Sequence, residues 1–200
     1  MKKPLIISIG REFGSEGHII GEVLAGRFDI PYFDNNLLHH VAEEKNISHE
    51  HLVKYDEVPK NKLISRKIRG MSNSPQENIA YMQFDFLKKM ANEGKSFVVV
   101  GRCAEAVLKG TPGLISIFVT GNKDNKTHRI METHNVSKKE AHKMMKQMDQ
   151  KRKNYHNYYC EHKWGHCHCY DLSINSSYLG VEGTADMLEL YIRKRMEENS

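Results

Sequence analysis

The 200-residue chain has little of several things: one tryptophan, five prolines and four cysteines. One cysteine stands alone at Cys103, and three crowd together at Cys160, Cys167 and Cys169. That is too few and too uneven for a disulfide scaffold. No stretch approaches the ~18 apolar residues of a membrane helix. The hydrophobic share, 39%, lies below the usual ~45–50%, and the charged share, 28%, slightly above the usual ~25%. These proportions describe a globular, surface-rich chain and exclude a fibrous or disordered one. Met1 to Gly10 contains only a short apolar run before a glycine-led loop, which reads as a first buried strand rather than a signal peptide. Nothing marks secretion, so a cytoplasmic location is expected.

What the chain does have is length for a proper core, as one domain with an appendage or as two small lobes. Its formal net charge is +5. Between Val136 and Tyr170, eight Lys/Arg side chains face three acids, so this segment carries the whole excess. A local basic excess points to an anionic partner such as nucleotide phosphate or nucleic acid. A solvated helix face is the plainer account of the charge alone.

Apolar runs alternate with helical stretches. Leu5–Ile9 reads as a strand and Gly17–Phe28 as a helix with Ile20, Val23, Leu24 and Phe28 on one stripe. Pro31–Phe33 is a short extended piece, after which Asp34 serves as an N-cap for a helix to Glu44. Asn46–Ser74 is polar and aperiodic, suited to short helices and loops. Ser74-Pro75-Gln76-Glu77 has the form of a capping box before a helix to Asn92. Ser96–Val100 and Leu114–Val119 are β-branched or apolar runs typical of strands covered on both faces. Cys103–Leu108 looks helical, Asp124 caps a helix to Thr133, and Ser137–Glu140 is a second capping box that opens a long helix. Tyr170–Ile174 is the last strand and Val181–Met196 the last helix. Strands separated by helices imply βαβ crossovers and a parallel sheet. Ligands of such sheets bind beyond the strands' carboxyl ends, here at Gly10 onward, Asp34, Gly101-Arg102 and the loop after Val119.

The segment from Gly10 to His18, Gly-Arg-Glu-Phe-Gly-Ser-Glu-Gly-His, joins the first strand to the first helix. Glycines let successive amides turn inward, and the helix N-terminus adds about half a positive charge, which together make a phosphate cradle. A plain strand-to-helix turn with glycines for tight packing is the alternative. The pattern G-x-x-x-x-G-K-[ST] requires a Lys for the transferred phosphates and a hydroxyl for Mg²⁺. Here Gly17 takes the Lys place and His18 the Ser/Thr place. Glu16 adds a carboxylate that repels phosphate unless a metal or Arg11 neutralises it.

Gly10 to His18, then Tyr32-Phe33-Asp34, then Val99-Val100-Gly101-Arg102-Cys103-Ala104 resemble the cytidylate-kinase-like branch of the P-loop nucleoside monophosphate kinases. Asp149 to Tyr155, Trp164-Gly165 and Tyr170 to Asn175 extend the resemblance over nearly the whole chain, in order. It implies a three-layer α/β fold with about five parallel strands. Residues 1–33, 94–135 and 170–200 would form the core, about 34–93 a helical monophosphate-binding region, and about 136–169 a basic helical lid. The family's activity implies transfer of the γ-phosphoryl group of ATP, with Mg²⁺, to a nucleoside monophosphate, CMP or dCMP first. By resemblance Gly10, Arg11, Gly14, Ser15, Glu16, Gly17, His18 and Arg129 would bind the donor, and Asp34, His40 and Arg102 the acceptor. Arg102, Lys151 and Arg152 would be the cations acting on the transferring phosphoryl group, and Ser15, Glu16 and Asp34 are candidate Mg²⁺ ligands. The sequence departs from cytidylate kinases at the missing loop Lys, at Cys103 in place of Asp, and at His40 in place of Arg. A catalytically weak or inactive nucleotide-binding protein, or a kinase for another small acceptor, is the alternative. The expected partner is a small nucleotide, with neither nucleic acid nor membrane. The spacing of Cys160, His162, His166, Cys167, His168 and Cys169 is not a zinc-finger pattern, and no protein-held metal site is expected there.

Overall fold

In the computed structural model, residues 3–48, 50, 52, 67–68, 71–72 and 74–198 are described. The main sheet contains β1 (Ile6–Arg11), β2 (Tyr32–Phe33), β5 (Phe97–Val100), β6 (Leu114–Thr120) and β7 (Leu172–Asn175), in the order β2-β5-β1-β6-β7. Every pairing in it is parallel, with Ile6 beside Phe97 on one side and beside Leu114 on the other. Two further short strands, β3 (Lys67–Ile68) and β4 (Met71–Ser72), pair antiparallel with each other. They fall within the polar Asn46–Ser74 stretch, most of which lies outside the described residues.

The helices are α1 (Gly17–Phe28), α2 (Leu37–Lys45), α3 (Pro75–Asn92), α4 (Ala104–Val107), α5 (Lys123–His134), α6 (Lys138–Tyr159) and α7 (Gly180–Glu198). One core cluster joins Ile7 and Ile9 of β1 to Ile20 and Leu24 of α1 and to Leu188 and Ile192 of α7. Another, on the opposite face, joins Ile6, Val99 and Phe97 to Leu87 of α3 and Leu108. The two clusters explain why β1 and β5 alternate nothing: each of their faces meets a helix, so every residue of Phe97–Val100 is buried. A third cluster packs Leu38 and Val41 of α2 against Ile79 of α3.

Three helix starts differ from expectation. Asn36, not Asp34, occupies the N-cap of α2, because the Asp34 carboxylate is drawn to Arg11. At α3, Ser74 and Pro75 hold the expected places, but the capping box does not form. The Ser74 hydroxyl donates to Gln76 Oε1 at 2.6 Å, and Glu77 is buried in the fold rather than turned back to the cap. At α5 the cap position is Asn122, not Asp124. The capping box at α6 does form, with Glu140 N donating to Ser137 Oγ and Ser137 N to Glu140 Oε2.

Candidate active site

Because the main strands are parallel, their carboxyl ends open on one side of the sheet. β1 runs there into the Arg11–Glu16 loop, β2 into Asp34, β5 into Gly101-Arg102, and β6 into Gly121. The loop after β1 is anchored from below by Glu12. Its Oε2 accepts from Thr120 Oγ1 at 2.6 Å, from Lys126 Nζ at 2.7 Å and from the Gly121 amide at 3.3 Å. Burial alone would raise this carboxyl. Lys126 and Thr120 outweigh it and hold Glu12 below its usual range.

Arg129 of α5 braces the upper side of the loop. Its Nε lies 2.6 Å from Glu16 Oε1 and its Nη1 donates to Gly14 O at 2.6 Å. The cation that neutralises Glu16 is therefore Arg129, and neither Arg11 nor a metal is needed for that purpose. Arg11 is committed elsewhere, with Nη2 at 3.4 Å from Asp34 Oδ1.

Two glycines make room for Arg11. A Cβ at Gly17 would stand 2.6 Å from Arg11 Cβ, and a Cβ at Gly101 would overlap the guanidinium itself. A lysine at position 17 would begin in the space that the Arg11 stem fills. The cation that occupies this space comes from the strand end, Arg11.

From the other side α6 reaches in. Asp149 Oδ1 accepts the Phe13 amide at 2.7 Å, and the Arg152 guanidinium lies over the Phe13 ring, 5.6 Å from its centre. Arg152 Nη1 also donates to Arg11 O at 3.4 Å. Burial raises the Asp149 carboxyl more than the Phe13 amide and the nearby cations lower it.

These groups surround a cavity of about 420 Å³ bordered by Arg11, Gly14, Glu16, His18, Asp34, Arg129 and Arg152, with Gly17 at its floor. A narrower cavity of about 30 Å³ adjoins it, bordered by Gly10, Arg102, Cys103 and Trp164. Arg11 and Arg152 border both. Arg102, at the end of β5, is buried and holds a left-handed backbone with φ 58°.

Three of the sequence-derived candidates border neither cavity. Ser15 is wholly buried and its hydroxyl donates to Glu12 O at 2.9 Å, so it serves the loop turn. The ring of His40 packs against Phe33 and Phe86, and its Nδ1 faces Glu43 at 3.6 Å. Lys151 borders neither cavity, one helical position round from Arg152.

Sequence reading passed over Glu12 with Lys126, the Asp149 contact on the loop, and a buried group of Glu105, His156 and Cys160. The i, i+4 spacing of His156 and Cys160 on α6 was a readable signal for the last. Nothing in sequence separates the buried Lys126 from Lys123, the other lysine of α5. In the buried group His156 Nε2 lies 2.5 Å from Glu105 Oε1. A Cys103 hydrogen bond, with His156 beside it, holds the Cys160 thiol well below its usual range against the effect of burial.

Comparison with solved structures identifies the class. A shikimate kinase from Bacteroides thetaiotaomicron superposes with TM-score 0.55 at 12% identity, covering 94% of this chain and 98% of that one. A gluconokinase from Sinorhizobium meliloti does so with TM-score 0.56 at 11% identity, covering 99% and 97%. At those identities the likeness is one of fold, and the fold is that of the P-loop kinases. A protein from Eubacterium ventriosum of uncharacterized function is much more similar: 40% identity, TM-score 0.76, 94% of this chain and 98% of that one. No curated protein matches the chain. Residues 6–178 match the cytidylate kinase-like family, and the chain belongs to it. Among the described residues no helix is long and apolar enough to cross a membrane.

Proposed function

We propose that the protein is an ATP-dependent phosphotransferase that moves the γ-phosphoryl group to a small phosphorylated acceptor, a nucleoside monophosphate with CMP or dCMP first. The observation that carries this reading is the pair of adjoining cavities at the carboxyl ends of the strands, with Arg11 and Arg152 bordering both. Transfer of a phosphoryl group needs donor and acceptor in line and cations where they meet, with little covalent work for the protein. The larger cavity would take the triphosphate, and the Arg102 side the acceptor phosphate.

The residues suit a polyphosphate. Each guanidinium facing the larger cavity is held by a carboxylate: Arg11 by Asp34, Arg129 by Glu16, Arg152 by Asp149 at 4.0 Å. Phosphate oxygens accept the same forked hydrogen bonds, so an entering triphosphate exchanges one anion for another without leaving a buried charge alone. The N-terminus of α1 has no acidic residue in its first turn and no side-chain cap, which leaves its amides for the same ligand. Asp34 is the residue that would hold Mg²⁺, which would supply neutralisation of the phosphate oxygens. On this reading α6 is the lid, Arg152 its acting cation, and the α2–α3 pair the acceptor-binding region. Lys151 would join only if α6 turns on closing.

Two observations favour a second reading, a nucleotide-binding protein without transfer: Gly17 stands where the loop lysine belongs, and Asp149 occupies a loop amide. A coupled ADP-release screen over CMP, dCMP, UMP, AMP, GMP and non-nucleotide acceptors separates the two. Release with CMP or dCMP is expected. ATP binding by calorimetry with no release for any acceptor would establish the second reading instead.

A further inference from the structure

We propose that Glu105, His156 and Cys160, with Cys103 as fourth donor, form a zinc(II) site that ties the end of α6 to the turn carrying Arg102. The donor atoms of Glu105, His156 and Cys160 all lie within 4.8 Å of one another. A tetrahedral zinc with bonds of about 2.0–2.3 Å sets its donors roughly 3.5 Å apart, so small side-chain movements close the site. His156 lies in the last turn of α6 and Cys160 is its C-cap, so these two donors come from the end of one helix. Cys103 stands at the N-cap of α4 and Glu105 in its first turn, so the remaining two donors come from a single turn of chain. Cys103 lies outside that group of three but belongs to the cluster against which Cys160 packs, from which its thiol would turn in as the fourth donor.

The donor set selects the metal. Two sulfurs, an imidazole nitrogen and one carboxylate oxygen suit zinc and are poor ligands for magnesium or calcium. Burial points the same way, since Cys103, Glu105 and His156 are each less than a tenth exposed. Buried ionisable groups of this kind are held by pairing or by a metal. The metal would enter between His156 and Glu105 and displace the proton they share, and the thiol protons would pass to solvent. The proposed phosphoryl chemistry assigns no step to these side chains, although Cys103, Glu105 and His156 border the smaller cavity beside Arg102; metal binding is read without activity, so its failure and that of the proposed function are distinguishable. Its consequence is positional. Cys103 follows Arg102 directly, and a metal on Cys103 would fix the turn from which Arg102 projects.

The nearby Cys167 and Cys169, with His166 and His168, are the competing donors; Cys167 is exposed and Cys169 half-buried. The test uses untagged full-length protein stripped with a chelator and titrated first with Co²⁺ and then with Zn²⁺. The expected result is about one equivalent of cobalt per chain, with a thiolate-to-cobalt absorption band and tetrahedral visible bands that zinc abolishes. Cys160→Ser and His156→Gln should lose the band, and the Cys167→Ser/Cys169→Ser double variant should keep it. Zinc should raise the melting temperature of the wild type and not that of Cys160→Ser. Absence of a thiolate band in the wild type, or its loss in the Cys167→Ser/Cys169→Ser variant, overturns the assignment. Both of those readouts survive a failure of Cys160→Ser to fold.

Discussion

Glu16 holds a left-handed backbone, φ 60° and ψ 18°, at the mouth of α1. That conformation costs a residue with a Cβ about 1–2 kcal/mol, and glycine adopts it freely. Here the strain is offset by the 2.6 Å ion pair with Arg129. Glu16→Gly therefore removes a strain and an ion pair together, and its melting temperature should stay near the wild type's. The freed Arg129 then faces the cavity without a carboxylate beside it. ATP affinity measured by calorimetry should rise about tenfold, equivalent to roughly 1.4 kcal/mol. Weaker binding would show that Glu16 holds the metal of MgATP. Glu12 makes a prediction of opposite kind. Its folded pKa lies below the ordinary 4.5, so its ion pair with Lys126 contributes fully above that value. The contribution is lost as pH falls through the lower folded value. Melting curves of the wild type should therefore drop, as pH falls below the ordinary carboxylate value, more steeply than those of Glu12→Gln. The variant should start lower at neutral pH, by on the order of 2 kcal/mol, because Lys126 is left buried beside a neutral group.

At the scale of elements the telling contact is between the end of β1 and the start of α1. Arg11 passes over Gly17 so closely that a methyl group there meets its Cβ at 2.6 Å. Gly17→Ala should cost about 1–3 kcal/mol through overpacking, read as a lower urea midpoint. Adding Arg11→Gly should recover part of that loss, since the Cβ that the new methyl group meets goes with the side chain. Additive losses in the double variant would mean that the two positions do not share the space. Arg11 is also where local reading and structure part company. The missing lysine was plain in the sequence and Arg11 was already a candidate for the donor side; that Arg11 fills the space over Gly17 and Gly101 was not, because Arg11 and Gly101 meet only through the sheet. The helix caps teach the same point. Ser137-Lys138-Lys139-Glu140 caps α6 as its spacing dictates, whereas Ser74-Pro75-Gln76-Glu77 does not cap α3, since Glu77 is buried by the fold. A local pattern holds where its residues have no stronger tertiary partner.

At the scale of the whole molecule, three elements far apart in sequence converge beyond one edge of the sheet. Arg11 from β1, Arg129 from α5 and Arg152 from α6 border one cavity, and Arg102 after β5 borders its neighbour. On the proposed reading Arg102→Ala should raise KM for the acceptor about 10- to 100-fold, the loss of roughly 1.5–3 kcal/mol of charged hydrogen bonding. The affinity for ATP should not change. An ATP affinity that falls in parallel would mean that Arg102 belongs to the donor side. The alternation of apolar strands with amphipathic helices was sufficient to read a parallel α/β sheet and the side on which its ligand lies, because buried strands and crossovers leave a periodic trace in the chain. The loop at Gly10–His18 was legible too, since glycine spacing is a local property of the backbone. The pairing of the charges was not. Whether Arg129 meets Glu16, whether Asp149 takes the Phe13 amide, and whether Glu105 meets His156 and Cys160 depends on distances between residues more than twenty positions apart. Such distances are set when the helices pack on the sheet, and no linear spacing encodes them.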